Sequence, residues 1–223
     1  FIVKTGRSES YQRQAVNAIK LFYKQVDGHR LRVDRLERVK KARRLPVVLS
    51  LQEIEKLLNS YHNIKHKTMI TLTYACGLRR SETLNLRWKD IDRHRMMIYV
   101  RLGKGKKDRQ VIMPPAVLTL LEKYWRAVKT KEYVFEGQNG GQYSAQSMRQ
   151  VLKQGLKRAG IKKDISLHGL RHSFATHVLE QGTDVHMIQK LLGHKSLKTT
   201  EIYLHLSKRS LHDVKNPIDG FDI

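Results

Sequence analysis

The stretch from residue 27 to residue 45 constrains the fold most, because Arg and Lys recur there at about every second position. This charge density is unsuited to a buried core, and the stretch ends at Pro46, so it predicts a solvated linker. Apolar residues at helical spacing from Ser10 to Val26 predict an amphipathic helix before it. We therefore expect four parts: the end of a helical domain (1–27), a basic linker (28–46), a globular domain (47–208) and a C-terminal tail (209–223).

The segment after the linker carries the patterns of a mainly helical domain. Ser50 and Glu53 have the spacing of a capping box, which predicts a helix that begins near Leu51. Apolar runs at 96–100 and 111–113 flank a turn rich in Gly and Lys, which predicts a β-hairpin with a basic tip. The expected fold is mainly α with a small antiparallel β-sheet. Further helices are predicted at 64–76, at a short segment capped by Ser81, and at 115–128, 147–159, 169–181, 184–192 and 199–206.

The net charge indicates the class of partner. Lys and Arg number 44 against 20 acidic residues, which gives a formal charge of +24 and a pI near 10.3. This surplus favours a polyanionic partner, although a ribosome-like or generally basic protein would share it. The charge therefore indicates a class of partner but does not identify a reaction.

Cysteine content and hydropathy indicate the compartment. The single cysteine, Cys76, excludes a disulfide within the chain and a multi-cysteine zinc site, and it favours a reducing compartment. No run approaches the roughly 18 consecutive apolar residues of a membrane helix, and the N-terminus has no signal-peptide pattern. We expect a cytoplasmic protein without a membrane partner. The chain begins with Phe1 rather than Met, which suggests a fragment of a longer protein.

Residues suited to phosphate chemistry follow one another along the chain. Arg79, close to Gly77 at a predicted helix junction, has a planar guanidinium that fits two phosphate oxygens. His168 and Arg171 lie three apart at a predicted helix start, where both would project from one face near its positive end. Tyr203 lies on the last predicted helix. Taken singly, Arg79 is better explained as a surface arginine and Tyr203 as a packed tyrosine, and the pair of His168 and Arg171 equally well as a surface cluster with His172.

The ordered set is more specific than its parts. Gly-Leu-Arg-x-Ser-Glu, Gly-Lys-Gly on a hairpin, His-x-x-Arg, Leu-Gly-His and Tyr occur in that order. This order resembles the tyrosine recombinase or phage integrase family, and within it Xer-like recombinases and bacterial mobile-element integrases, over residues 47 to about 206. Residues 8–26 resemble the last helix of the family's core-binding domain. The short path from Glu136 to Ser147 leaves little room for the extra helix of integron integrases.

The resemblance implies an enzyme that cleaves and rejoins DNA strands through a covalent 3′-phosphotyrosine, in integration, excision or dimer resolution. Tyr203 would attack the phosphate, two arginines would clamp it, His168 would act as general base, His194 would hydrogen-bond the phosphate, and a lysine would protonate the leaving oxygen. No metal, ATP or other cofactor is implied. The implied catalytic residues are Arg79, Lys104, His168, Arg171, His194 and Tyr203.

Other charged residues take supporting roles in this resemblance. Glu82 is similar to the family's acidic residue that buttresses the site, although helix capping explains it nearly as well. Lys106 and Lys107 are alternatives to Lys104 as the acid. Together with Arg109, these two lysines are otherwise expected to contact DNA phosphates.

The resemblance also implies partners. These are double-stranded DNA that carries a specific recombination site and three further copies of the chain, a homo-tetramer on DNA, with or without accessory proteins. The tail at 209–223 would dock on a neighbouring protomer. Such an enzyme would act on the nucleoid of a bacterial cytoplasm, and the sequence does not separate chromosome-dimer resolution from element integration.

Three alternatives remain open on the sequence alone. His168 and His172 have the spacing of two zinc ligands on a helix, but the intervening Gly-Leu-Arg supplies no glutamate base and places a cation beside the metal. A non-catalytic DNA-binding module of the same fold would be expected to lack Tyr203, Arg79 or Arg171. A type IB topoisomerase would share the chemistry without exchanging DNA partners.

Overall fold

The computed structural model describes residues 9–26, 46–101, 108–194, 196–204 and 206–207. The chain divides into two compact units between Arg44 and Leu45, and each unit is described by itself. In the first unit, helix α1 (Glu9–Val26) begins one residue before the predicted start. Its exposed apolar side chains are Tyr11, Ile19, Leu21, Phe22, Tyr23 and Val26.

The second unit opens with helices α2 (Leu51–Asn59), α3 (Ile64–Ala75) and α4 (Arg80–Asn85). The predicted capping box of α2 is confirmed. The backbone N–H of Glu53 donates to the Ser50 hydroxyl at 3.2 Å, and the backbone N–H of Ser50 donates to the Glu53 carboxylate at 2.7 Å. These bonds satisfy two donors that a helix start would leave without partners.

Three short strands form one antiparallel sheet in the order β1 (Ile91–Asp92), β2 (Met97–Val100) and β3 (Arg109–Ile112). Ile98 on the middle strand is the register partner of both Ile91 and Val111. The predicted hairpin is confirmed, and β3 begins two residues earlier than expected. Strand β1 was not predicted, because two residues carry no readable alternation. Most of the predicted basic tip, residues 102–107, lies outside the described residues.

Four more α-helices follow the sheet. The first, α5, starts at Pro115, where the fixed φ of proline suits a helix start and its missing N–H leaves no bond unmade. Helix α7 begins two residues before its predicted start because Ser166 caps it, its hydroxyl accepting from the backbone N–H of Gly169 at 3.2 Å. The bounds are α5 (Pro115–Val128), α6 (Ala145–Arg158), α7 (Leu167–Glu180) and α8 (Val185–Leu192).

The predicted α-helix at 199–206 is wrong over its described part. Two 3₁₀ turns stand there instead, Leu197–Thr199 and Glu201–Tyr203. Two adjacent β-branched threonines disfavour an α-helix, and the Thr200 hydroxyl is hydrogen-bonded to His194 Nδ1 at 2.9 Å. The end of the described chain is therefore held by short-range bonds and side-chain contacts rather than by a regular helix.

Two apolar clusters fill the second unit. The larger cluster surrounds α3, whose side chains Met69, Ile70 and Leu72 are fully buried. The smaller cluster lies between α7, α8 and the last 3₁₀ turn, and its buried members are Ala175, Leu179, Ile188, Leu192 and Tyr203.

None of the helices in the described segments is long and apolar enough to cross a membrane.

Candidate active site

Glu82 lies at the centre of a buried group of arginines. Its carboxylate accepts hydrogen bonds from Nη1 and Nη2 of Arg109 at 2.7 and 2.8 Å, and from Nη1 of Arg79 at 2.7 Å. Nη1 of Arg171 lies 3.7 Å from the same carboxylate. Burial would raise the pKa of Glu82, but the hydrogen bonds and charges of Arg109 and Arg79 outweigh it and lower the pKa to about 2. Glu82 is therefore ionised at any physiological pH.

Helix α4 begins one position before the residue predicted to cap it. The cap is Arg79, and Ser81 lies inside the helix. Glu82, the third residue of the helix, favours this start because its carboxylate accepts from the Arg79 backbone N–H at 2.7 Å, the bond that the acidic residue of a capping box makes. The Arg79 side chain is one-fifth exposed, and its Nη2 reaches the carbonyl of Gly193 at 3.4 Å.

Arg171 is fully buried, which is rare for an arginine. Its Nη1 donates to the carbonyl of Gly77 at 2.7 Å, and its Nη2 donates to the carbonyl of Leu192. Among the described residues, its Nε has no hydrogen-bond partner. Burial, with the repulsion of Arg79, lowers the pKa of Arg171 to about 9, so it remains positively charged at neutral pH.

Gly77 brings its carbonyl to Arg171 by a turn that only glycine makes without strain. Its φ is +56°, and a Cβ there would stand 2.6 Å from Cδ1 of Phe174. The predicted helix stop at Gly77 thus also forms one wall of the arginine site.

Tyr203 is almost completely buried, with 1% of its surface exposed. Its hydroxyl oxygen lies 3.1 Å from Nδ1 of His172. Burial raises the pKa of Tyr203 to about 12, although the positive charges of Arg171 and Arg79 act in the opposite direction. In this position the phenol is neutral and does not face solvent.

His172 is neutral in this site, since burial and the neighbouring His168 and Arg171 lower its pKa to about 4. The pKa values of about 12 for Tyr203 and about 4 for His172 differ by eight pH units. The imidazole is therefore a much weaker base than the phenolate, so the phenolic proton stays on Tyr203. The contact is a hydrogen bond between neutral groups and not a proton-transfer pair in this state.

The other two histidines lie on either side of this pair. The His168 ring stands edge-on to the His172 ring with centroids 4.4 Å apart. The His194 ring lies nearly parallel to Tyr203, at 14° and 6.3 Å between centroids. Burial, with the charges of Arg171 and Arg79, lowers the pKa of His194 to about 4.

A surface cavity of about 790 Å³ lies beside this group. Arg79, His168 and His172 line it, together with the exposed Arg80 and Arg149. His172 therefore contacts the cavity on one side and the buried hydroxyl of Tyr203 on the other. Basic and imidazole side chains on one wall suit an anion such as a phosphate.

The structure brings most of the predicted site residues together from four separate segments. Lys104, Lys106 and Lys107 lie outside the described residues, so nothing is added to their prediction. In the segments that the structure describes, no three His, Cys, Asp or Glu side chains form a metal-binding group. The residues brought together are Arg79, Glu82, Arg109, His168, Arg171, His194 and Tyr203.

The contacts of two side chains differ from the sequence-based expectation. Arg109 was expected to contact DNA, yet its side chain is one-tenth exposed and donates to Glu82 and, through Nε at 3.1 Å, to the carbonyl of Leu191. This geometry favours a structural role. His172 was considered as a member of a surface cluster with His168 and Arg171 or as a metal ligand, because no spacing rule connects it to Tyr203, 31 positions away.

Comparison with known proteins gives one consistent family. The profile described as the phage integrase family matches residues 47–210. A tyrosine recombinase of Thermosipho africanus is 40% identical over 185 residues, which are 81% of this chain and 65% of that protein. The tyrosine recombinase XerD of Halalkalibacterium halodurans is 36% identical over 226 residues, 94% of this chain and 75% of that protein. The chain spans 59% of the length of a relative from Sinorhizobium fredii.

Solved structures agree with the fold. The crystal structure of XerA recombinase matches with a TM-score of 0.69 and 34% identity, over 92% of this chain and 75% of that one. The Tn1549 transposon integrase in complex with circular intermediate DNA matches with a TM-score of 0.71 over 95% of this chain and 79% of that one, at 19% identity. This second likeness concerns the fold alone. The predicted fold class is confirmed.

Proposed function

We propose that this chain, which belongs to the phage integrase family, cleaves and rejoins double-stranded DNA at specific sites through a covalent bond to Tyr203. One observation carries the proposal: Arg79 and Arg171 lie at the carboxylate of Glu82 and donate to carbonyls at the end of α8, and the ring of His194, which follows α8, lies against Tyr203. A phosphodiester that entered this group would meet a nucleophile and the charges needed to stabilise its transition state.

In the proposed reaction, the hydroxyl oxygen of Tyr203 attacks the scissile phosphorus in line. The new O–P bond forms as the bond from phosphorus to the 5′ oxygen breaks, which leaves a 3′-phosphotyrosine and a free 5′-hydroxyl. The phenolic proton passes to a base, and the leaving oxygen takes a proton from an acid. Because the phosphotyrosine conserves the phosphodiester bond, attack by a 5′-hydroxyl reverses the step without ATP.

Arg79 and Arg171 are proposed to bind the non-bridging oxygens of the phosphate. Their guanidinium groups would offset the charge that builds in the transition state. Arg171 is fully buried and held by the carbonyls of Gly77 and Leu192, so its guanidinium is already oriented, but the site would have to open for a phosphate to reach it. A site that is organised before the reaction is the efficient way to stabilise developing charge.

The proton-transfer roles follow the family pattern. His168 lines the cavity and is proposed as the general base, while His194 is proposed to hydrogen-bond the phosphate. Lys104 on the hairpin tip is proposed as the acid that protonates the leaving oxygen, with Lys106 and Lys107 as alternatives or phosphate contacts. Glu82 and Arg109 are proposed to hold the arginine pair in place, and they would not touch DNA.

The proposed partner is double-stranded DNA that carries a recombination site. A formal charge of +24 supports tight electrostatic binding, so affinity should fall steeply as salt rises. The proposal also includes a tetramer on DNA, docking through residues 209–223, an N-terminal DNA clamp represented by residues 1–27, and a basic linker at 28–46. It further includes a location on the bacterial nucleoid.

Trapping the covalent intermediate tests the function. The recombination site is first selected from random duplexes by binding. A duplex of that site, nicked so that a released fragment diffuses away, is then incubated with the chain in the absence of metal and ATP. A covalent protein–DNA adduct on a denaturing gel is expected, and Tyr203→Phe should abolish it. Folded protein that binds the site and forms no adduct would instead favour a non-catalytic DNA-binding module.

A further inference from the structure

We propose that His172 is a positioning residue that holds Tyr203 in a withdrawn resting position, and that this contact must break before Tyr203 can attack DNA. The inference rests on the proposed function, because it concerns the same nucleophile. Its direct observation is the 3.1 Å contact between Nδ1 of His172 and the hydroxyl oxygen of Tyr203. With Nε2 carrying the ring proton, Nδ1 accepts the hydrogen bond that the hydroxyl donates.

Burial indicates that the observed position of Tyr203 is not the attacking one. The side chain is 1% exposed and packs among Ala175, Leu179, Ile188 and Leu192. A nucleophile has to come within about 3–3.5 Å of the phosphorus, and a DNA backbone does not enter a protein interior. Tyr203 therefore has to turn outwards before it reacts.

The local backbone permits such a movement. Tyr203 ends a 3₁₀ turn of three residues, Glu201–Tyr203, rather than a stable α-helix. The hydrogen bonds of a 3₁₀ turn have poorer geometry than those of an α-helix, so fewer and weaker backbone bonds oppose the movement. The hydroxyl of Thr200, bonded to His194 at 2.9 Å, is a second tether at the start of the same turn.

His172 is placed to connect substrate arrival with release of Tyr203. It lines the cavity that also contains His168 and Arg79, and its ring lies 5.6 Å from the ring of Tyr203. A phosphate that enters the cavity would compete for the imidazole or shift it. Loss of the acceptor would then free the tyrosine when DNA is bound. The intact contact would keep the tyrosine withdrawn when DNA is absent.

Nitration of tyrosines with tetranitromethane, followed by peptide mapping, measures this protection in the DNA-free protein. Tyr124 is a matched control, because it is also fully buried but lies in the other apolar cluster. Tyr11 is half exposed and should react at once. In the wild-type protein, both Tyr203 and Tyr124 should be protected.

His172→Phe keeps an aromatic ring and removes the acceptor, so nitration of Tyr203 should rise about tenfold, the effect of one hydrogen bond, while Tyr124 stays protected. His172→Gln restores an acceptor and should recover part of the protection. Nitration of Tyr203 in His172→Phe within twofold of the wild-type rate would overturn the proposal. If nitration of Tyr124 also rises in His172→Phe, the two tyrosines are compared in His172→Gln. Unequal nitration of Tyr203 and Tyr124 in that variant supports the proposal, and equal nitration refutes it.

The adduct assay separates a holding role from a chemical one. His172→Phe should form the covalent adduct at least as fast as the wild-type protein, because the released tyrosine is ready to attack. A fall of a hundredfold or more would make His172 a participant in the reaction and overturn the resting-position role. Absence of adduct in the wild-type protein, with the expected nitration pattern, would refute the recombinase function and leave the His172 contact standing.

Discussion

The two halves of the candidate site are built differently. The arginine half is a buried network in which Glu82 receives bonds from Arg79 and Arg109, and Arg171 is fixed by two backbone carbonyls. The tyrosine half consists of a short 3₁₀ turn whose nucleophile is held by one hydrogen bond to His172. The charged groups are thus fixed by many bonds before substrate arrives, whereas the side-chain hydroxyl of the nucleophile is held by a single hydrogen bond.

This difference separates two requirements of the proposed reaction. Stabilisation of a transition state is strongest when charged groups do not have to reorganise, which favours a rigid network. A covalent nucleophile that cuts DNA is safer when it reacts only on a correctly assembled substrate, which favours a movable element. The following changes test whether the two halves behave independently.

The largest effect is expected from Glu82→Gln. Removing this carboxylate leaves Arg109 and Arg171 as buried cations without a counter-charge, so the free energy of unfolding should fall by about 3 kcal/mol. Urea denaturation measures the change. Glu122→Gln is the matched control, since Glu122 pairs with the exposed Arg93, and its loss should cost less than about 1 kcal/mol. Equal losses in the two variants would show that the arginine half is not a specific network.

A smaller effect is expected from pH, and it arises in the tyrosine half. His172 and His194 have pKa values of about 4 in the folded protein, against an ordinary value of 6.5. The unfolded chain therefore binds more protons between these values, so stability should fall as pH drops from 6.5 towards 4, by about 2 kcal/mol after allowance for solvent screening. Glu82, whose pKa is lowered from 4.5 to about 2, loses its contribution as pH falls from about 4.5 to about 2, so it overlaps only the lower end of that window.

Thermal or urea unfolding across this pH range measures the slope. His172→Phe removes one of the histidines whose pKa is lowered, beside His194, His66 and His177, and should reduce the slope. A slope that is the same with and without His172 would contradict the buried, neutral imidazole on which the resting position depends.

The smallest effect is expected at the joint between the halves. Gly193 has a φ of +61°, and a Cβ there would stand 2.7 Å from Cδ of Arg109. Gly193→Ala should therefore cost about 1 kcal/mol of backbone strain plus a further cost for displacing Arg109 from Glu82. Gly160→Ala is a matched control, because Gly160 has a φ of +68° and a Cβ there would meet nothing within 4 Å. Equal losses would show that Arg109 moves aside freely.

Local patterns predicted the helices well because local physics determines them. The capping box of Ser50 and Glu53, the proline at the start of α5 and the glycine after α8 each act on neighbouring residues. The order of the family motifs also predicted which residues would gather in one site. Neither the prediction of the helices nor that of the site residues required knowledge of contacts across the fold.

Contacts between distant segments were not predictable in the same way. Arg109 was expected at a DNA surface but turns towards Glu82, 27 positions earlier, because a buried carboxylate needs a counter-charge. The cap at Ser81 was wrong because the helix begins at Arg80, where Glu82 bonds back to the Arg79 backbone N–H. The contact of His172 with Tyr203 joins two segments whose spacing carries no signal at all.

The attachment of Arg171 to main-chain carbonyls has a consequence for protein engineering. Its acceptors belong to the backbone of Gly77 and Leu192, so they persist whatever side chains neighbouring positions carry. The outer face of α8, where Met187 and Lys190 are exposed, can then be randomised without removing a single bond to Arg171. A library on that face would change the surface presented to a partner while the guanidinium stays where it is.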